Sequence, residues 1–425
     1  MRRRSHNDDR ATVARHAHLL SPSRMSVALK LLGAALAVLV VSSAAIAAFI
    51  AVDLSNRVSD GAVALEGDDD VAPPALGAYP DELAFNLLII GTDECGEITT
   101  QYLGRRCSEA DGGIRNDVNL LVHVSAAPRN VTVVSFPRDL MVEVPECTRQ
   151  DGSTASAMAK ASFNSLFDHA GIPCIATTVT ELSGLPVEFA AKISFDGVIE
   201  ITNAIGGVEV CVAGEGIHDS QAGIDLPPGT HTISGKDALA FIRTRHGVGD
   251  ESDLARISNQ QQYMSRLAKK ILSAETLTDP STVLKLANTV VDNIVPSEKL
   301  SNPLTLAQLA LALKDVPFSD FVFVQFPNAP DPDNPKSKVV PVDDAAEALW
   351  AALAAGEPIA LSGDVTSHSG VVLSTPSPSA PPAETPTDAA TPPATGTPDV
   401  RATLPPEISG QSVDQDTCSK GNQAK

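Results

Sequence analysis

FNLLIIG (85–91), VNLLVHVS (118–125) and NVTVVSFP (130–137) decide the fold. Each is a short, nearly continuous apolar run, and such a run bounded by turn residues reads as a buried strand. A Pro-containing turn at Ala127–Asn130 joins the second to the third. Downstream, 161–170 and 175–184 read as helices. LPVEFAAKISFDGVIEITNAIGGVEVCV (185–212) reads as strand, short helix, strand, with Gly206-Gly207 making the last turn. Residues 236–245 carry an apolar helical stripe, and 253–273 form a long amphipathic helix starting near Asp253. Alternating strands and helices predict an α/β protein, an α/β(α) sandwich around a central mixed sheet.

Working outward, the chain divides into six stretches. Residues 1–30 are a basic tail, 31–52 an apolar span, and 53–84 an acidic stalk without periodicity. Residues 85–275 carry the strand–helix pattern. Residues 276–360 add helices (281–293, 304–314, 342–355) and a strand, FVFVQFP (321–327). This extension either continues the same domain or forms a small appended one. Residues 361–425 read as a disordered tail that includes Cys418, densest in Pro, Thr, Ala and Ser from Ser374 to Pro406.

Leu31–Val52 contains no charge, and its 22 positions as a helix reach roughly 33 Å, enough for a bilayer core. Arg2, Arg3, Arg4, Arg10, Arg15, Arg24 and Lys30 precede it, and a run of aspartates follows. The positive-inside rule then predicts a single-pass type II protein of the cell membrane. The amino terminus is cytoplasmic and the rest extracellular. The alternative is a cleaved signal peptide, for which Ala45–Ala47 offers a small-residue site; the length of the apolar run favours an uncleaved anchor.

All six cysteines lie beyond the apolar span, which fits disulfides in an oxidising compartment. Six cysteines allow 15 pairings. Nearness suggests Cys95–Cys107 and Cys147–Cys174, leaving Cys211 with Cys418. No C-x-x-C pair supports a zinc site. A formal net charge of −21 argues against sequence-independent binding to nucleic acid.

The chemistry lies in two arginine-rich stretches: GGIRNDVNLLVHV (112–124) with VVSFPRDLMVEVP (133–145), and ALAFIRTRHGVGDESDLARISNQQQ (238–262). Each places arginines at the end of an apolar run. A guanidinium presents a rigid fork of donors that matches phosphate oxygens. Several forks together suit a pyrophosphate, and the pair Asp93 and Asp117 suits a hard cation beside it. An isolated arginine is more often one half of a weak surface ion pair; the grouping is what argues for a site. Asp139 either caps a turn or supports the site, and Asp253 is either a helix N-cap or a ligand. His123 reads as packed, and His246 is the one histidine placed for chemistry.

These motifs, IIGTD (89–93), IRND (114–117), SFPRDLMVEVP (135–145), FNSLFDHAG (163–171), FDGVIEITNAIGGVEV (195–210), ALAFIRTRH (238–246) and GDESDLARISNQQQ (249–262), resemble the LytR–CpsA–Psr family of cell-wall glycopolymer ligases. The resemblance covers roughly 85–273. It implies a Mg²⁺-dependent (or Mn²⁺-dependent) phosphotransferase. Such an enzyme moves a glycopolymer from a polyprenyl-pyrophosphate carrier to a muramoyl 6-hydroxyl of peptidoglycan, at the cytoplasmic membrane. It implies metal binding by Asp93 and Asp117. It implies pyrophosphate binding by Arg115, Arg138, Arg243, Arg245, Arg256 and Gln260; the charge that develops on the leaving phosphate then makes Arg243 and Arg245 the catalytic arginines, with Asp93 as the candidate proton acceptor. The chain departs from the family at Asn116, where serine is usual, at Asn259, where arginine is frequent, and at Ser162, where a lysine is frequent. Two alternatives use the same residues differently or not at all: a polyprenyl-pyrophosphate phosphatase with water as acceptor, and a membrane-bound transcriptional attenuator.

Overall fold

A computed structural model describes residues 61–66, 79–104, 107, 113–273, 276, 279–362, 370–374 and 401–423, with scattered positions of an amino-terminal helix between 25 and 59. Residues 1–53 and 54–425 are two units. Much of the expected span 31–52 lies outside the described residues. Its described apolar side chains, among them Leu32, Leu36, Val40 and Phe49, are exposed. Among the described residues no helix is long and apolar enough to cross a membrane.

The second unit begins with β1 (Phe85–Thr92), α1 (Glu97–Leu103), β2 (Asn116–Val124) and β3 (Val131–Ser135). Then come α2 (Leu166–Ser183), β4 (Phe189–Ile193), α3 (Phe195–Ala204), and β5 (Val208–Asp219) with its short partners β6 (Ile224–Leu226) and β7 (Gly229–Ile233). Next are α4 (Gly235–Arg243), α5 (Asp253–Ile271), α6 (Pro280–Asn293), β8 (Ile294–Pro296), α7 (Pro303–Leu313) and β9 (Phe321–Gln325). The chain closes with α8 (Asp343–Ala354), β10 (Val371–Leu373), β11 (Gly410–Ser412) and β12 (Thr417–Gln423).

The main sheet has seven strands in the order β8-β4-β1-β2-β3-β9-β11. β1 is antiparallel to β2 and parallel to β4, while β3 is antiparallel to β2 and parallel to β9. The sheet is therefore mixed, as expected. Side chains alternate between its faces. Leu88, Ile90, Leu121 and Val134 pack under Ile175 and Val179 of α2 and Leu349 and Trp350 of α8. Phe85, Leu120, Val133 and Phe323 pack on the other face with Leu309 of α7. Both faces are covered, which is why the strands read as unbroken apolar runs. Each such side chain fully buried contributes about 1.5–3 kcal/mol. A second sheet, built on β5, lies against α4 and α5 through Val210, Val212, Phe241 and Tyr263.

Four boundaries differ from the sequence reading. Residues 158–162 form a strand paired with 141–144, so the expected helix over 161–170 begins only at Leu166. Its break at Gly171, where φ is 75°, divides α2 near the place where two helices were expected. The extension is not an appended domain: β8 and β9 enter the main sheet beside β4 and β3. The stalk is not free of structure, because Val63 and Leu65 are buried and Val63 bridges to Ser297. The tail is not disordered throughout. Residues 410–412 complete the main sheet and 417–423 the second, for which the Cys211–Cys418 disulfide gives the covalent reason. Most of 361–400 lies outside the described residues. Cys95–Cys107 and Cys147–Cys174 are paired as nearness suggested.

Candidate active site

β1 and β2 bring the two aspartates to one end of the sheet. Asp93 lies just past β1; its N–H donates to the Arg115 carbonyl (3.1 Å) and its Oδ1 accepts the Arg115 N–H (2.7 Å). Asp117 lies at the opening of β2, just ahead of the apolar run 118–125. The ladder pairs Gly91 with Val118 and Thr92 with Asn116, so Asp117 is the extra residue of a bulge. A bulge re-aims a side chain, which is how Asp117 comes to line the cavity beside it. Asn116 is buried and ties the strand to the start of α2, donating to Asn119 Oδ1 and the Phe163 carbonyl and accepting the Phe167 N–H. That clip explains the amide where a shorter serine is usual. Burial pushes the Asp93 carboxyl above its ordinary range, and the negative charge of Asp117 adds to the effect against the lowering by the Arg115 N–H.

The arginines come from three further elements. Arg138 stands past β3. Arg243 ends α4, Thr244 is extended (φ −60°, ψ 134°), and Arg245 follows. Arg256 and Gln260 sit one turn apart on one face of α5, whose N-cap is Ser252, its hydroxyl accepting the Ala255 N–H. Asp253 is thus not the cap. Instead it pairs with Arg256 (2.7 Å) and Arg138 (3.3 Å). Arg138 also pairs with Asp117 (3.2 Å) and Asp139 (3.5 Å). Burial works to lower its pKa, and these three carboxylates outweigh it, so the value is raised. Asp139 carries Lys338 as well (2.7 Å), and the same ammonium donates to Ser162, the position where a lysine is frequent in the family.

Asp117, Arg138, Arg243, Arg245, Arg256 and Gln260 line one cavity of about 450 Å³. The same cavity is lined by the apolar side chains of Ile89, Val118, Leu120, Ile193, Val198, Ile242 and Met264. An adjoining cavity of about 400 Å³ is lined by Asp93, Glu94 and the Cys95–Cys107 disulfide. Asp117, Phe195 and Arg243 line both. The Arg243 guanidinium lies over the Phe195 ring, 4.9 Å from its centre. Arg115 is exposed and is among the lining residues of neither cavity. Gln260 lines the first cavity while its amide donates to the Ile242 carbonyl (2.8 Å), and Asn259 does the same to Phe241 (2.9 Å). These two amides satisfy carbonyls in the last turn of α4, the helix that ends in Arg243.

Sequence reading missed Asp219, at the end of β5 and 2% exposed. It accepts the Thr244 hydroxyl (2.8 Å) and the N–H groups of Arg245, His246, Gln221 and Ala222. Burial acts to raise its pKa, yet these donors hold it below the ordinary range. Asp219 therefore fixes the backbone between the two arginines as a charged acceptor. Nothing in VEVCVAGEGIHDS marks it, since the partners that tie it to the arginines, Thr244, Arg245 and His246, lie more than twenty residues on. His246 pairs with Glu251 (3.1 Å). His123 is buried and bonded to Asn86 (2.8 Å), far from chemistry, as expected.

The family described as LytR_cpsA_psr matches residues 49–353, and the chain belongs to it. The cell wall biosynthesis protein LcpA of Corynebacterium glutamicum is 28% identical over 235 residues, 51% of this chain and 45% of that protein. The polyisoprenyl-teichoic acid–peptidoglycan teichoic acid transferase TagT of Bacillus subtilis is 24% identical over 292 residues, 68% of this chain and 83% of that one. A solved structure of TagT bound to LIIa-WTA has a TM-score of 0.50 at 20% identity and covers 69% of this chain and 98% of that chain, a likeness of fold. The chain matches about half the length of the corynebacterial relatives.

Proposed function

We propose that this LytR–CpsA–Psr protein transfers a glycopolymer from a polyprenyl-pyrophosphate carrier to a peptidoglycan hydroxyl, forming a phosphodiester. The observation that carries the reading is the convergence of four arginines and a group of apolar side chains on one cavity. A ligand with two phosphates and a hydrocarbon chain has that division of chemistry. The teichoic acid transferase among the relatives supports it.

Arg138, Arg243, Arg245 and Arg256 would bind the pyrophosphate oxygens with charge-assisted bonds. The apolar side chains would take the first prenyl units. The acceptor oxygen attacks the sugar-linked phosphorus, the bridging P–O bond breaks, and polyprenyl phosphate leaves with the electron pair. Negative charge grows on that leaving phosphate, and preorganised arginines stabilise it more than they stabilise the ground state. Asp93, at the end of β1 beside the cavity, would take the proton of the acceptor hydroxyl. Asp93 and Asp117 fit a divalent ion: both line one cavity, and the charge of one disfavours ionisation of the other, a cost a cation reverses. When bound, Mg²⁺ or Mn²⁺ supplies charge neutralisation of the pyrophosphate.

The exposed apolar side chains of the amino-terminal helix and the three disulfides support a type II membrane anchor with the catalytic unit outside the cell. The test is transfer of a lipid-linked glycan to peptidoglycan fragments by the purified chain. Phosphate release independent of any acceptor would replace the ligase by a phosphatase.

A further inference from the structure

We propose that the carboxy-terminal strand β12 is a positioning element for Arg245 and Arg256, held in place by the Cys211–Cys418 disulfide. The proposal rests on the transferase reading of the cavity. β12 gives no side chain to that cavity. Instead it grips two of the three backbone segments that carry cavity arginines.

The first grip is on the loop after Arg245. The Asn422 N–H donates to the Gly247 carbonyl (2.9 Å) and the Gly249 N–H to the Lys420 carbonyl (3.0 Å). The Asn422 amide donates to Glu251 Oε1 (3.3 Å), and the Glu251 carbonyl accepts Arg245 Nε (2.9 Å). One residue therefore stands between Asn422 and the guanidinium. Glu251 has φ of 66°, a left-handed conformation uncommon for a non-glycine residue, which surrounding contacts must hold.

The second grip is on α5. The Ser419 hydroxyl donates to Asn259 Oδ1 (2.5 Å), and Gln262 donates to the Thr417 carbonyl (3.3 Å). Asn259 lies three residues past Arg256, and its own amide holds the end of α4. Ser419, Asn259 and Gln262 are all fully buried, where a displaced partner is costly. The fit is close: a Cβ on Gly421 would lie 2.1 Å from the Gly216 carbonyl oxygen. The disulfide joins residues 207 apart in sequence, so it supplies a tie that local chain connectivity does not.

The experiment uses the full chain in detergent, with geranylgeranyl pyrophosphate as the binding probe and glycan transfer as the rate assay. Asn422→Ala, at a partly exposed position, should melt close to the parent yet turn over roughly tenfold more slowly, because a small misplacement of a guanidinium is enough. The same substitution on an Arg245→Ala background should cost almost nothing more, since its effect runs through that arginine. Gly421→Ala and C211A/C418A should lower turnover further. Independent, multiplying losses for Asn422→Ala and Arg245→Ala would overturn the proposal, and so would parental turnover in both Asn422→Ala and Gly421→Ala. If the parent binds the probe and these variants behave as the parent, only the strand proposal fails. If the parent does not bind it, the transferase reading fails and this proposal with it.

Discussion

Asp253→Asn separates a phosphate cradle from an ordinary ion-pair network. Asp253 Oδ1 lies 2.7 Å from Arg256 and 3.3 Å from Arg138, with side chains 15%, 8% and 24% exposed. Burial lowers the Arg256 pKa, and Asp253 is the main charge opposing it, while Arg138 and Arg245 add repulsion. Breaking a buried pair by removing one partner costs about 3–5 kcal/mol. The pair opens onto a cavity, so the low end applies, about 3 kcal/mol. In a unit spanning residues 54–425 that is a fall in Tm of roughly 4 °C. An anion that binds the orphaned guanidiniums should restore what the carboxylate supplied. Inorganic pyrophosphate should therefore raise the Tm of Asp253→Asn more than that of the parent. The assay is thermal melting of both proteins across a pyrophosphate titration at fixed ionic strength. A variant that melts lower but gains no more than the parent would show a structural ion pair, and the cradle argument would be refuted.

Other expectations follow from the same geometry. Arg243→Ala and Arg245→Ala should each lower turnover by roughly a hundredfold or more, and Arg243→Lys should also be poor because it keeps charge without the fork; exposed Arg115→Ala should lose far less, all measured as glycan transfer. Asp117→Asn should lose the rise in Tm that Mg²⁺ gives the parent, and an unchanged rise would remove this pair as the metal site. His123, buried, is pushed down from 6.5 to about 4, so the unfolded chain binds its proton first. Stability is then complete above about pH 6.5 and is lost as pH falls towards 4, by roughly 3 kcal/mol for this group. His123→Gln should show a shallower fall in Tm over that window, and an identical fall would assign the acid sensitivity elsewhere.

The strands of the central sheet were legible because both faces are buried, which leaves a run such as LLIIG (87–91) with no polar interruption to misread. The long helix from Asp253 was legible through its amphipathic period, and Arg256 and Gln260 share a face for the reason their spacing implied. Four of the five arginines converge on one cavity. Arg115 does not, because the chain uses its backbone, not its side chain, to hold Asp93. That Asp117 stands ahead of the strand at 118–125 was legible, but only the antiparallel register and its bulge show why it faces the cavity.

What escaped the sequence depends on contacts between distant segments. Asp219 is an unremarked polar residue at a strand end until Thr244 and Arg245 fold against it. Lys338 stands near Ser162 only because the extension joins the main sheet. The tail from 401 has the composition of a linker on its approach, and composition averages hide the few apolar positions that matter, such as Ile408 and Val413, both fully buried. Cys418 was the one local sign that this segment returns to the fold. A lone cysteine in an oxidising compartment needs a partner, and with Cys95–Cys107 and Cys147–Cys174 paired, that partner is Cys211 on β5. The strand that results lies against two of the three segments bearing cavity arginines. The site is therefore held in part by residues well over a hundred positions from the arginines they position.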